Sequence, residues 1–308
     1  MDIHLQAASI CNCGEKMKNR KTTVSLVLGS GGARGLAHIG IIHWLEQNGY
    51  EIRSIAGSSM GALVGGMHAI GKLDEFEEWV RAITVTNMLA LLDLSLESNG
   101  LFKGNKIINT LKNLVGEELI EDLPVPFTAV AANIAEAKEV WIDEGPLFDA
   151  IRASISMPLF FTPFRFKGEE LIDGGILNPV PIAPTFSDRT DITIAVNLCG
   201  KPREGIVLAS REEAAQPSLF SHAISEFSDK IKSSLPHQKS GVKARNIVLQ
   251  SFDAMQGTIA RQKIAAYPPD YVVDIPRNLC MILDFDKAAE LIRFGYEEAE
   301  QSLAEMLD

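Results

Sequence analysis

No apolar stretch of this 308-residue chain approaches the roughly 18 residues that a membrane-spanning helix requires. Basic charge is also scarce. The 29 Lys and Arg stand against 40 Asp and Glu, and the net charge of -11 argues against a nucleic-acid partner. There are four cysteines, Cys11, Cys13, Cys199 and Cys280, and their spacing matches no zinc motif. They read as reduced thiols of a cytoplasmic protein. The first residues hold no sustained apolar core, and their positive charge follows the mildly apolar part, the wrong order for a secretory signal. No internal repeat and no His/Cys/Asp ligand cluster stands out, so neither a metal nor an organic cofactor is expected.

What is present is an ordinary globular composition, 46% hydrophobic and 22% charged. Periodic apolar pattern begins at Val24. Residues 1–20 read as a leader foreign to the domain, either a loose tail or an upstream extension, with Met17 a natural start. Residues 21–308 then form one domain. Within it, residues 201–245 are polar, poor in pattern and read as an excursion.

Residues 23–29 (TVSLVLG) are short, apolar and closed by Gly, as a buried strand should be. Residues 33–49 carry apolar side chains near helical spacing and end in Asn48-Gly49, a helix-stop signal. Residues 53–57 predict a second strand and 59–71 a helix rich in small residues. Strand, helix, strand, helix within about fifty residues marks a parallel sheet. Residues 126–134 and 191–199 predict further strands, with 138–145 pairing beside the former. Residues 164–175 read as two short strands turning at Lys167-Gly168. The final stretch, 284–307, is an amphipathic helix with Leu291, Ile292, Phe294 and Tyr296 near its apolar face.

Three glycine clusters carry the chemistry. The first, GSGGARG (residues 29–35), puts bare backbone N–H groups at a helix mouth, where they hold negative charge. A dinucleotide site wants G-x-G-x-x-G. Here Gly29 and Gly31 fit, but Arg34 takes the sixth position, and Glu51 precedes the second strand instead of ending it. The Walker pattern also fails. An oxyanion hole remains, built from the N–H groups of Gly31, Gly32 and Ala33, with Arg34 bracing the loop or adding positive potential. The second cluster, Gly57-Ser58-Ser59-Met60-Gly61, fits G-x-S-x-G between a strand and a helix. Such an elbow needs neighbours without side chains at Gly57 and Gly61, and it exposes the Ser59 hydroxyl at a helix N-terminus. The bland alternative is a small-residue turn. The third cluster is Asp173-Gly174-Gly175, at a strand end. Asp173 there can approach Ser59 as a base, or it can simply cap its own turn. No histidine is placed as well. His38, His43 and His68 fall inside helices, and His222 and His237 lie in the polar excursion.

Taken together, GSGGARGLAHIG, GSSMG, ASISMPLFFTPF and IDGGILNPVP resemble the patatin-like phospholipases, and most closely the short bacterial members related to the catalytic domain of neuropathy target esterase. The resemblance runs from about Val24 to the C-terminus. It implies a three-layer α/β/α fold with a mainly parallel central sheet, and a Ser–Asp dyad in place of a triad. By position, Ser59 is the nucleophile, Asp173 the base, and Gly31, Gly32, Ala33 and Arg34 the oxyanion loop. Gly57 and Gly61 make the elbow, and Gly174 and Gly175 support the base. Ser30 departs from the family, where many members carry a third consecutive Gly. The expected function is a serine esterase releasing fatty acid from phospholipid or lysophospholipid esters. A non-catalytic acyl-binding or adaptor protein on the same fold is the alternative. The partners implied are a lipid or acyl-ester substrate, peripheral contact at the inner membrane face, and no nucleic acid. An acyl pocket is expected from residues 88–102 and 157–164, whose apolar content exceeds what one face would bury.

Overall fold

The computed structural model of the chain describes residues 20–83, 102–206, 208 and 241–307. Its centre is a sheet whose apolar strands are buried on both faces, which is why they read as continuous hydrophobic runs. Strand β1 (Thr23–Leu28) is wholly buried and pairs in parallel with β2 (Glu51–Ser58) on one side. On its other side lies β7 (Ile192–Gly200), followed by β8 (Tyr271–Pro276), both parallel. Strand β3 (Phe127–Asn133) runs parallel to β2. The remaining strands, β4 (Lys138–Ile142), β5 (Phe164–Phe166) and β6 (Glu169–Asp173), join antiparallel at the β3 end.

Alternation along the strands divides the interior. Leu26, Leu28, Ile194 and Val196 point into a large core, while Val27 and Ala195 point into a small one. The large core is covered by α1 (Ala37–Gln47), α2 (Met60–Ala69) and α7 (Ala288–Ser302), and the small one by α6 (Gly241–Ala266) through Ala260. Helices α3 (Leu73–Ala82), α4 (Asn105–Val115) and α5 (Leu147–Ser154) flank the large core. The result is the three-layer α/β/α arrangement with a mostly parallel sheet that the sequence predicts.

Two boundaries differ from the expectation. The first helix opens with a 3-10 turn over Gly32–Leu36, because Gly32 takes a left-handed φ of 58°. Helix α6 begins at Gly241, so the last residues of the expected excursion are helical. Residues 209–240 and the leader 1–19 lie outside the described residues, as do residues 84–101.

Helices α1 and α7 cross closely enough that a Cβ at Gly40 would strike the Ile292 carbonyl, and one at Gly295 the Ala37 carbonyl. Alanine is the better helix former by about 1 kcal/mol, yet Gly295→Ala must push two backbones apart. A net destabilisation of about 1–3 kcal/mol is expected, the usual cost of overpacking. A fall in the urea midpoint at constant slope checks it.

Candidate active site

Ser59 stands between β2 and α2 with φ 56° and ψ -120°. A non-glycine residue held there stores about 1–3 kcal/mol of backbone strain, a kind of strain that clusters at functional turns. The glycines on either side leave no alternative to bare backbone. A Cβ at Gly57 would meet the Gly61 carbonyl, and one at Gly61 the Leu28 carbonyl. Ser154 of α5 secures the turn. Its hydroxyl accepts the Ser59 N–H at 2.9 Å and donates to the Val130 carbonyl of β3 at 2.6 Å.

Asp173 reaches Ser59 through strand register. Strand β4 occupies one edge of β3 from Ala129 to Asn133, so β2 and β6 must share the other. Strand β2 ends there at Ser58, opposite Val130. Strand β6 arrives from the opposite direction and ends at Asp173, opposite Ala131. The two strands therefore meet head-on, and their C-terminal residues face each other across the junction. The Asp173 N–H is held by the Ser156 carbonyl at 3.0 Å. A Cβ at Gly174 would collide with the Val130 carbonyl, so the chain passes here only as glycine.

The Ser59 hydroxyl donates to Asp173 Oδ2 at 2.5 Å, and Asp173 Oδ1 accepts the Gly175 N–H at 2.8 Å. Asp173 thus caps its own turn and faces Ser59 at once. The two readings of this residue do not compete, because a carboxylate has two oxygens. Asp173 is fully buried and Ser59 nearly so. Burial lifts the Asp173 carboxyl from 3.8 to about 6, against the opposing pull of the Ser59 and Gly175 hydrogen bonds.

The glycine loop lies alongside. Gly32 faces the same cavity as Ser59 and Asp173. Among the described residues no acceptor holds the N–H of Gly31 or Gly32. The Ala33 N–H is donated to the Ile282 carbonyl at 2.9 Å, so in this arrangement it is already committed. Arg34 is buried, not a surface cation. Its Nε donates to the Gly31 carbonyl at 3.1 Å, Nη1 to the Arg277 carbonyl at 2.6 Å, and Nη2 to Asp253 at 2.8 Å. Arg34 braces the loop by holding the carbonyl that precedes Gly32. Gln256, also on α6, reaches Ser30 at 3.2 Å.

No histidine among the described residues bonds to Ser59 or Asp173. His43 pairs with Glu77 at 2.6 Å, and His68 lies 3.9 Å from Glu46. His222 and His237 are outside the described residues. His38 is buried, and burial pushes it down to about 4, so it is neutral near pH 7 and its Nε2–H donates to the Gly29 carbonyl at 2.9 Å. Its Nδ1 has no partner among the described residues.

Above Ser59 opens a cavity with about 1030 Å³ of empty space, counted out to its mouth. Phe102, Met157, Phe160 and Phe161 line it, as the apolar excess of their segments suggests; residues 88–101 lie outside the described residues. The sequence reading missed Phe76, Trp79 and Val80 of α3 and the loop bearing Ile282, Leu283 and Phe285. Apart from Ser59 and Asp173, every side chain on its wall among the described residues is apolar. Among the described residues no helix is long and apolar enough to cross a membrane, and no cluster of three metal-ligating side chains occurs.

Residues 26–186 match the family model for patatin-like phospholipase. An uncharacterized NTE family protein of Mycobacterium bovis is 36% identical over 327 residues, covering 91% of this chain and 91% of that protein. The chain belongs to the patatin-like phospholipase family. The lysophospholipase NTE1 of Coccidioides immitis is 27% identical over 98% of this chain, which spans 18% of that longer protein. Patatin-like phospholipase domain-containing protein 6 of Homo sapiens is 30% identical over 56% of this chain and 13% of its own length. Membership of this family points to a lipid acyl hydrolase.

Proposed function

We propose that this patatin-like chain is a serine hydrolase of phospholipid or lysophospholipid acyl esters, working through a Ser59–Asp173 dyad. The observation that carries the reading is the 2.5 Å hydrogen bond from Ser59 to a buried carboxylate at the floor of an apolar cavity. Asp173 takes the Ser59 proton as Oγ attacks the ester carbonyl. Its carboxyl, lifted to about 6, is ionised at pH 7 yet basic enough to accept that proton. The tetrahedral oxyanion forms beside the N–H groups of Gly31 and Gly32, where donors already fixed in place stabilise charge that exists only in the transition state. Asp173 returns the proton to the leaving alcohol. It then draws a proton from water, which attacks the acyl-enzyme and frees the fatty acid. The substrate's chain lies along the apolar wall, and its headgroup stays at the mouth, where the enzyme meets the lipid surface at the inner membrane face.

A fluorophosphonate probe tests the assignment. One probe should attach per molecule, on the peptide carrying Ser59, and should block release of fatty acid from vesicle lipids. A folded, pure sample that takes no label and hydrolyses no ester would instead be a non-catalytic acyl-binding protein.

A further inference from the structure

Behind the acyl cavity lies a buried cation that the dyad does not use. Arg152, on α5, is 2% exposed. Its Nε donates to the Lys103 carbonyl at 3.0 Å, and Nη2 reaches the same carbonyl and the Thr162 carbonyl, the latter at 3.0 Å. Nη1 donates to the Ser156 hydroxyl at 2.5 Å. The rings of Phe161 and Phe164 lie 5.6 and 5.5 Å from the guanidinium carbon.

The two carbonyl acceptors, of Lys103 and Thr162, come from two stretches that meet at the cavity wall. Among the described residues two backbone bonds join Phe102 to the 160–162 stretch, Phe102 N–H to the Phe160 carbonyl and Thr162 N–H to the Phe102 carbonyl, each 2.9 Å. Beyond that short bridge the carbonyls of Lys103 and Thr162 have no ladder to continue. One guanidinium supplies donors to both at once. Phe102, Phe160 and Phe161, held on the bridge it spans, line the cavity.

We propose that Arg152 is a positioning residue that sets acyl-chain selectivity by stapling residues 102–104 to residues 160–162. This rests on the reading of the cavity as an acyl site. The planar fork of guanidinium donors is what a two-sided staple requires. Lysine presents a compact point charge and cannot span the same acceptors. The hydrogen bonds of Arg152 described above go to Lys103, Ser156 and Thr162, and none of them ends on Ser59 or Asp173.

The test is Arg152→Lys in the full chain, with rates per fluorophosphonate-titrated site on p-nitrophenyl esters of 4 and 16 carbons. The ratio of kcat/KM for the long over the short ester should fall at least about tenfold, mainly through KM. The acid limb of the pH profile should stay in place. Equal loss on both esters, or an unmoved ratio, would mean a purely structural role and overturn the proposal. If Arg152→Lys does not fold, Ser156→Ala removes the Nη1 acceptor while keeping the carbonyl that holds Asp173. It should lower the ratio about threefold, and no change overturns the idea. If the wild type neither labels nor hydrolyses, the enzymatic reading fails by itself. The staple is then read by the affinity for a fluorescent 16-carbon fatty acid, which should weaken at least about fivefold in Arg152→Lys; unchanged affinity rejects it.

Discussion

Asp173→Asn should lose nearly as much activity as Ser59→Ala, at least about 10³-fold in kcat each, and the double variant should lose no more. The geometry dictates the non-additivity. In the asparagine variant Oδ1 must stay on the Gly175 N–H, because an amide NH₂ there would oppose a donor. The NH₂ group then faces Ser59 Oγ and donates to it, so the hydroxyl loses the acceptor that takes its proton. Removing the hydroxyl as well deletes a group that is already idle. Steady-state rates of the three variants, with intact folding checked by thermal unfolding, measure this. Additive losses would mean that the two side chains act independently.

The pH dependence follows from the same carboxylate. The acid limb of kcat/KM should fall near 6, where burial has lifted Asp173. That is close to the ordinary range of histidine, so the midpoint alone does not name the group. Adding an organic cosolvent does: a carboxyl limb moves upward as the charged form is disfavoured, and an imidazolium limb does not.

The second large effect concerns stability and has the opposite sign. In the unfolded chain Asp173 returns to about 3.8, whereas folded it titrates near 6. Between those values the folded protein binds a proton that the unfolded chain has released. This contribution to stability is therefore complete below pH 3.8 and is lost as pH rises through 6, a swing of about 3 kcal/mol. Asp173→Asn has no such swing. Relative to wild type it should be more stable by about that amount at pH 7.5, with the gap closing at pH 4. Urea midpoints of the two proteins at the two pH values give the difference directly. A variant less stable than wild type at pH 7.5 would show that the carboxylate is not strained by burial.

The site was legible where glycine spacing has a steric cause. Gly57 and Gly61 flank Ser59 because two carbonyls leave no room for a Cβ, and Gly174 follows Asp173 for the same reason. Those constraints are written as residue identities at fixed offsets. The brace behind the glycine loop was not legible. Helix α6 turns Asp253 and Gln256 toward Arg34 and Ser30 of the glycine loop and Lys263 toward Glu139 of β4, with Ala260 in the small core. Its inward face mixes the polar Asp253 and Gln256 with the small Gly257 and Ala260, so hydrophobic periodicity gives little signal for it. Strand β8 carries Asp274 and ends in Pro276, and it too lacks the apolar run of its neighbours. The commitment of the Ala33 N–H to Ile282 depends on a loop some 250 residues away, a contact that no local pattern encodes.

The head-on meeting of β2 and β6 also separates two events in the life of the chain. The elbow that presents Ser59 forms from one contiguous stretch, residues 51–69. Its proposed base, Asp173, is 114 positions further along and arrives only when the late strand docks on β3. A growing or half-folded chain thus carries a serine with no base beside it. Under the proposed dyad such a chain cannot yet cleave an ester, and that capacity waits on completion of the sheet itself.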